Sequence, residues 1–461
     1  MDVIARGLAS KASQSKAVLS ADRLPHLFAL IGDSRAENFA TSASLVAREG
    51  YKSAQHPLNW FNALAGQRLQ MVFNGGKSGK RSDEWQSLAA TDTTSYPGLG
   101  NVDAMLSTRA LWAFFTGIGV NDISQGYTAD QVWAGYNGAP ALPATLARVL
   151  AAGMRPVIFL EPGSTSLSAG QVPEVHRLNA YLRSFCLANP ACVMVDVPAL
   201  IWSGTATSTT AIAFRTGYMT DGTHLAVKGA HAIGSALVTL LAGLVPPRAV
   251  LPSSPTEIPA NGRVQLVNTP WLLPNATTQG AVTGFTFSTQ MPAGLVWVRG
   301  LNGVNATGAA TATCSIIADP NGFGQALQIA ATFSQDKEFV QVDLPTDTTG
   351  IVPGDILRGS AHVEIANGSA NACIDYFRLQ TTPDGGTLIS AYDLYDDPSA
   401  VAFGAFPTTA LSLDLTTGLM TVPSFASTLT SGLRLRIGSN GGAGSMTVTI
   451  SRCGIYKRLG S

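Results

Sequence analysis

The stretch ALIGDSRAENFA, residues 29–40, poses the question on which the fold turns. An apolar run ending at Ile31 stops at Gly32-Asp33-Ser34, and a helix-compatible segment follows. Gly and Asp form turns and Ser caps helices, so folding alone accounts for this corner. A turn at the carboxyl end of a strand in an open α/β sheet also faces the crevice where such sheets bind ligands. The sequence on either side has to separate the two readings.

Outward from that corner, strand-like apolar runs alternate with helical segments over residues 25–245. Strands are expected at 26–31, 68–73, 110–116, 155–160 and 191–195, and helices at 129–152, 172–188 and 226–244. Short apolar strands spaced by helices predict a mostly parallel sheet in a three-layer α/β/α domain. The texture changes at VPPRAVLPSSPTEIPANG, residues 245–262, whose prolines and polar residues predict a linker over 246–262. Beyond it, FVQVDL, SAHVEI, IDYFRL, LRLRI and MTVTI alternate with period two between Gly, Asn, Asp and Pro turns. That pattern predicts an antiparallel β-sandwich or jelly roll over 263–461, with 271–299 as its extended first part.

Composition narrows the function classes. At 461 residues the chain exceeds one ordinary domain. Lys plus Arg number 29 and Asp plus Glu 29, so no global field draws in nucleic acid or an anionic membrane. The opening MDVIARGLASKASQSKAVLS lacks the long apolar core of a secretory signal and reads as a short amphipathic helical leader, residues 1–24. No later stretch reaches the ~18 apolar residues of a membrane span. Cytoplasmic synthesis is expected, with exit, if any, by lysis or a specialised route. Cys186, Cys192, Cys314, Cys373 and Cys453 form no CxxC pair, so buried free thiols are expected in place of disulfides or zinc.

If Ser34 is a nucleophile, it needs a base, a group to orient that base, and donors for an oxyanion. His224 follows Asp221 by three residues in TDGTHL, just before the last helix. In a loop, that spacing folds the carboxylate back onto the imidazole and fixes its tautomer, although Asp and Gly before a helix also make an ordinary cap. VFNGGKSGKRSDE, after the second strand, offers the backbone N–H of Gly76. FFTGIGVNDIS, after the third, offers the neutral side-chain amide of Asn121. Singly these are turn residues. Jointly, successive strand ends carry Gly-Asp-Ser, Asn-x-Gly, Gly-x-Asn and Asp-x-x-His, all on one edge of a parallel sheet. The other histidines, His26, His56, His176, His231 and His362, read as structural or exposed, His56 and His362 having no carboxylate at useful spacing.

This ordered set resembles the SGNH (GDSL) hydrolase family, over residues 25–244. The resemblance implies a flavodoxin-like α/β/α fold and ester hydrolysis through an acyl-enzyme, with no metal or organic cofactor. It makes Ser34 the nucleophile, His224 the base and Asp221 its orienting group. The Ser34 N–H, the Gly76 N–H and the Asn121 side chain would form the oxyanion hole. Arg35 stands where the family often has Leu; its guanidinium would bind polar or anionic acyl partners, or make a surface ion pair with Glu37 or Asp33. Glu161, closing RPVIFLE, would bind substrate in the crevice, cap a helix or pair with a cation. GGKSGK lacks the frame of a phosphate-binding loop.

The tail resembles the carbohydrate-binding-like jelly rolls that follow some SGNH modules. Trp271, Trp297, Tyr376, Tyr392 and Tyr395 are then sugar-stacking candidates, or else core and turn residues. Together the resemblances imply a polysaccharide O-acetyl esterase, whose partner is an acetylated glycan or another short-chain ester and not nucleic acid. The leader resembles those of phage-tail-associated proteins, which would place the chain on a virion, as a homotrimer. The rival is a non-enzymatic glycan-binding or structural tail protein with an inert SGNH-like domain.

Overall fold

The computed structural model describes residues 23–39, 51–86, 101–204, 211–248, 250–252, 263–265, 279–302, 308–345, 348–386, 388–395 and 406–458. The expected leader up to residue 22, most of the expected linker, and Trp271 lie outside the described residues. The chain divides into two compact units. The first takes residues up to Asn38, Arg68–Leu225 and Ala236–Pro246; the second takes Phe39–Gln67, Ala226–Ser235 and residues from Pro247 onward. The sequence placed its division at 246–262, whereas these units interleave along the chain. One reason is Tyr51–Ser53, which extends the edge of a sheet in the second unit by pairing with Tyr392 and Tyr395. A strand this short is made by backbone pairing and carries no periodicity to read.

In the first unit, β1 (Leu24–Gly32), β2 (Gln70–Asn74), β3 (Ala110–Thr116), β4 (Arg155–Phe159) and β5 (Val193–Val195) form one sheet. Its order is β2-β1-β3-β4-β5, with every pair parallel. This is the flavodoxin-like doubly wound order, and its direction reverses between β1 and β3. β3, ALWAFFT, is buried along its whole length, as expected of a strand covered on both faces. On one face Phe115 and Ile158 join Val132, Leu146, Val175, Leu178 and Leu182 in a continuous core. On the other, Phe28 meets Phe114 edge-on with ring centres 5.4 Å apart. Each such buried side chain contributes about 1.5–3 kcal/mol.

The helix expected over 129–152 is two helices, Ala129–Ala134 and Leu142–Ala151. The break has local causes: Gly135 ends the first at a positive φ of 84°, and Pro140 and Pro143 cannot carry helical N–H bonds through the gap. Helix Val172–Ala188 has the expected bounds.

The second unit holds an eight-stranded and a six-stranded sheet that pack on each other. All pairs are antiparallel except Thr311–Ala318 with Phe285–Phe287 and Ile389–Tyr395 with Tyr51–Ser53. Long-range neighbours such as Ile356–Gly368 and Gly444–Arg458 bring distant hairpins together. Alternate residues Leu433, Leu435 and Ile437 are buried in the core, as a period-two pattern requires. Trp297, a candidate for sugar stacking, is buried and packs against Phe285 and Phe287. All five cysteines are buried. Among the described residues, no helix is long and apolar enough to cross a membrane.

Candidate active site

The reversal point of the sheet is where the chemistry collects. After β1 the chain turns into helix Ser34–Glu37, and Asp33 caps it by accepting the Arg35 N–H at 2.9 Å. Two glycines make that corner fit. A Cβ on Gly117, which has φ +68°, would lie 1.9 Å from Asp33 Oδ1. A Cβ on Gly76 would lie 2.4 Å from the Glu37 nitrogen, so only glycine lets the loop after β2 pass this close to the helix.

Ser34 and His224, far apart in sequence, meet here: Ser34 Oγ lies 2.8 Å from His224 Nε2. The other ring nitrogen, Nδ1, lies 2.7 Å from Asp221 Oδ2. Asp221 also builds its own loop, its Oδ1 accepting the N–H groups of Thr223 at 2.9 Å and His224 at 2.8 Å. Burial alone would raise the Asp221 pKa, but these bonds, led by the one from the His224 ring, hold it below the usual carboxylate range. The carboxylate therefore stays ionised and keeps a proton on Nδ1, leaving Nε2 to accept from the Ser34 hydroxyl.

Two of the three expected oxyanion donors, those of Gly76 and Asn121, are at the same rim but already engaged. The Gly76 N–H donates to Asn74 Oδ1 at 2.9 Å, within its own loop. The Asn121 amide donates to the Lys80 carbonyl at 3.0 Å and, at 3.4 Å, to Asp33 Oδ2. Neighbouring Asp122 accepts the Ser82 N–H at 3.0 Å and the Tyr136 hydroxyl at 2.5 Å. The loops after β2 and β3 are thus tied together beside Ser34.

Arg35 and Glu161 take the ion-pair alternative rather than the substrate contact, but Arg35 pairs with Glu161 inside the fold and not with Glu37 or Asp33 at the surface. They are 9% and 1% exposed, and pair with each other through Nη1 and Oε1. The remaining Arg35 donors reach the Thr223 carbonyl at 3.1 Å and the Gly163 carbonyl at 2.7 Å. Arg35 therefore fastens the loop that carries His224 to the segment after β4, just behind Ser34. A positive side chain next to Ser34 suggested a solvent-facing role; only the tertiary structure shows it turned inward, because the segment after β4 supplies a buried carboxylate to meet it.

Asp33 was legible as a turn residue but not as a buried acid. Burial outweighs the opposing pull of Arg35 and lifts its pKa from 3.8 to about 7. The folded chain thus holds a proton between those pH values that the unfolded chain has released, and loses stability as pH rises across the window. Asp33→Asn cannot ionise and is expected to remove that slope. Urea midpoints of wild type relative to the variant should fall steadily from about pH 4 to 7. Parallel curves would overturn the assignment.

His362 also departs from expectation. In the second unit its Nδ1 lies 2.7 Å from Asp414 and its Nε2 2.7 Å from Glu364. Burial would lower its pKa, but the two carboxylates outweigh this and raise it. Asp414 faces it across a strand pair, a proximity invisible in the linear sequence.

No family model and no curated protein sequence matches the chain. Several solved structures are similar to it. A protein described as lipolytic, of the G-D-S-L family, from Desulfitobacterium hafniense matches over 47% of this chain and 99% of its own, at 14% identity and TM-score 0.32. A variant of an acetyl-xylooligosaccharide esterase from Geobacillus matches over 48% of this chain and 97% of its own, at 14% identity and TM-score 0.34. The enzymatically active domain of tailspike protein 4 from bacteriophage CBA120 matches over 35% of this chain and 19% of its own, at 10% identity and TM-score 0.23.

Proposed function

We propose that the chain is a serine ester hydrolase acting on short acyl groups, O-acetyl in particular, carried by a polysaccharide. The observation behind this is the continuous hydrogen-bonded chain from Ser34 Oγ through the His224 ring to Asp221, at 2.8 and 2.7 Å. His224 Nε2 takes the hydroxyl proton as Oγ attacks the ester carbonyl, and returns it to the departing alcohol. Water then enters, gives its proton to the same nitrogen and releases the acid. Asp221 stabilises the imidazolium at each stage. Residues 25–245 carry this chemistry in the proposed scheme, and residues 263–461 present the polymer.

The oxyanion would be met by two donors. The Ser34 N–H opens its helix and has no intrahelical acceptor. The Asn121 amide would exchange its long 3.4 Å contact to Asp33 for the substrate oxygen, since such bonds often tighten only in the reacting complex. Gly76 serves this site through its missing side chain, which lets the loop close on helix Ser34–Glu37. Asn121→Ala is expected to lower kcat by ~10²–10³ with little change in KM, because the contact is made in the transition state. Steady-state hydrolysis of p-nitrophenyl acetate checks it, and an unchanged kcat would remove Asn121 from the hole.

The function itself is tested by acetate release from acetylated xylan and other acetylated polysaccharides, with mass spectrometry of protein treated with a fluorophosphonate. A single adduct on Ser34 together with acetate release is expected. An unmodified Ser34, or no release from any ester, would overturn the proposal.

A further inference from the structure

The outer face of the six-stranded sheet carries chemistry that ester hydrolysis does not use. Directly opposite residues on neighbouring strands share a face, so the register defines rows. One row runs Val296, Asp343, Arg434, Arg378, Tyr392; the next runs Val298, Gln341, Arg436, Tyr376. The intervening residues, Val342, Leu435 and Phe377 among them, are buried on the core side. Two side chains in a row are ~5 Å apart and two along a strand ~7 Å apart. Arg378, Arg434 and Arg436 therefore occupy one small patch.

Their charges are poorly compensated. Arg436 donates to the neutral oxygens of Gln341, at 2.7 and 3.0 Å, and Asn302, at 2.7 Å. Arg378 donates to the Tyr392 hydroxyl at 3.3 Å. Among the described residues, of the three only Arg434 forms an ion pair with a carboxylate, Asp343, at 2.7 Å. A second acid, Asp375, lies near Arg436 but is fully buried and bonded to Asn302 at 2.9 Å. Arg378 is 9% exposed, and its Nε, like that of Arg434, has no hydrogen-bond partner. Like charges gathered this closely repel one another, and an anion laid against their outer donors offsets that repulsion.

Aromatic rings on the same face pack against the arginines. The Arg436 guanidinium lies 3.8 Å from the Phe339 ring centre and 4.8 Å from that of Tyr376, and Arg378 lies 4.8 Å from Tyr376. Stacking of this kind fixes the planar fork so that its N–H edge can grip a carboxylate in two places. The side of the patch at Val296 and Val298 is open, these residues being 54% and 36% exposed.

We propose that this face binds an acidic polysaccharide, its ring carboxylates gripped by Arg378, Arg434 and Arg436. The choice of an anion rests on the arginines alone; the choice of a glycan rests on the proposed function. The sandwich would then hold a uronate-bearing polymer while the hydrolytic site works on its esters.

The test is isothermal titration of the full chain at low salt with polygalacturonate fragments, dextran and poly-L-glutamate as separate probes. Polygalacturonate is expected to bind, with dextran and poly-L-glutamate at least tenfold weaker. Arg434→Gln should weaken binding tenfold or more. Val298→Glu, an exposed change that adds a like charge beside the ligand, should do the same without disturbing the core. Ser34→Ala should bind as wild type does, so loss of hydrolysis and loss of binding can be told apart. Unchanged affinity in both Arg434→Gln and Val298→Glu, equal binding of dextran or poly-L-glutamate, or no binding of polygalacturonate would each overturn the proposal.

Discussion

Ser34→Ala is expected to lower kcat on p-nitrophenyl acetate by ~10⁴–10⁶, equivalent to about 5–8 kcal/mol of transition-state stabilisation. The size follows from the geometry. Ser34 Oγ is the hydroxyl that the His224 ring addresses, at 2.8 Å, and without it no acyl-enzyme can form. His224→Ala should fall by a similar factor, and the double variant should be little worse than either, because the two residues act as one unit. Both variants should keep the circular dichroism of wild type: the serine hydroxyl and the imidazole contribute little packing, the His224 side chain being 29% exposed. Pre-steady-state kinetics adds a second readout, a burst of nitrophenol in wild type and none in Ser34→Ala. Full activity in either single variant would remove the proposed triad.

The second large effect is on stability. Arg35→Met should destabilise the fold by ~3–5 kcal/mol, since it strands the Glu161 carboxylate in a site from which water is excluded. Glu161 is 1% exposed and its Oε2 has no hydrogen-bond partner among the described residues. The paired change Arg35→Met with Glu161→Leu should recover much of the loss, because replacing both members of a buried ion pair by apolar groups is often neutral. A double-mutant cycle from urea unfolding measures this directly. Activity should respond differently. Both variants lack the bond from Arg35 to the Thr223 carbonyl, so the loop carrying His224 loses a fixed point. A misplacement of ~1 Å costs about 10² in rate, so kcat should stay low even where stability returns. Equal stability of Arg35→Met and wild type would show that the pair does not hold the fold.

Much of the α/β core was legible because parallel strands buried on both faces must be continuously apolar. FALI, ALWAFFT and RPVIF announce themselves as β1, β3 and β4. The break between Ala129–Ala134 and Leu142–Ala151 was hidden by good helix formers on both sides, although Gly135 and Pro140 mark it. In the sandwich, period-two runs located strands such as Glu338–Pro345 and Leu429–Ser439, but could not say which would pair. The arginine patch is a product of that pairing.

By itself the sequence located most elements of the α/β core and singled out the candidate groups, because apolar periodicity and turn chemistry are local. It placed Gly-Asp-Ser and Asp-x-x-His at strand ends, and these could meet only if the sheet is doubly wound. The tertiary structure decided everything that depends on what surrounds a charge. Arg35 turned from a candidate substrate contact into a buried clamp, the Gly76 N–H was taken up by Asn74, and burial pushed the Asp33 carboxyl up to about 7. The reason is physical: whether a polar group faces water, a carboxylate or a neighbouring amide is set by chain segments far away in sequence, and burial multiplies the consequence.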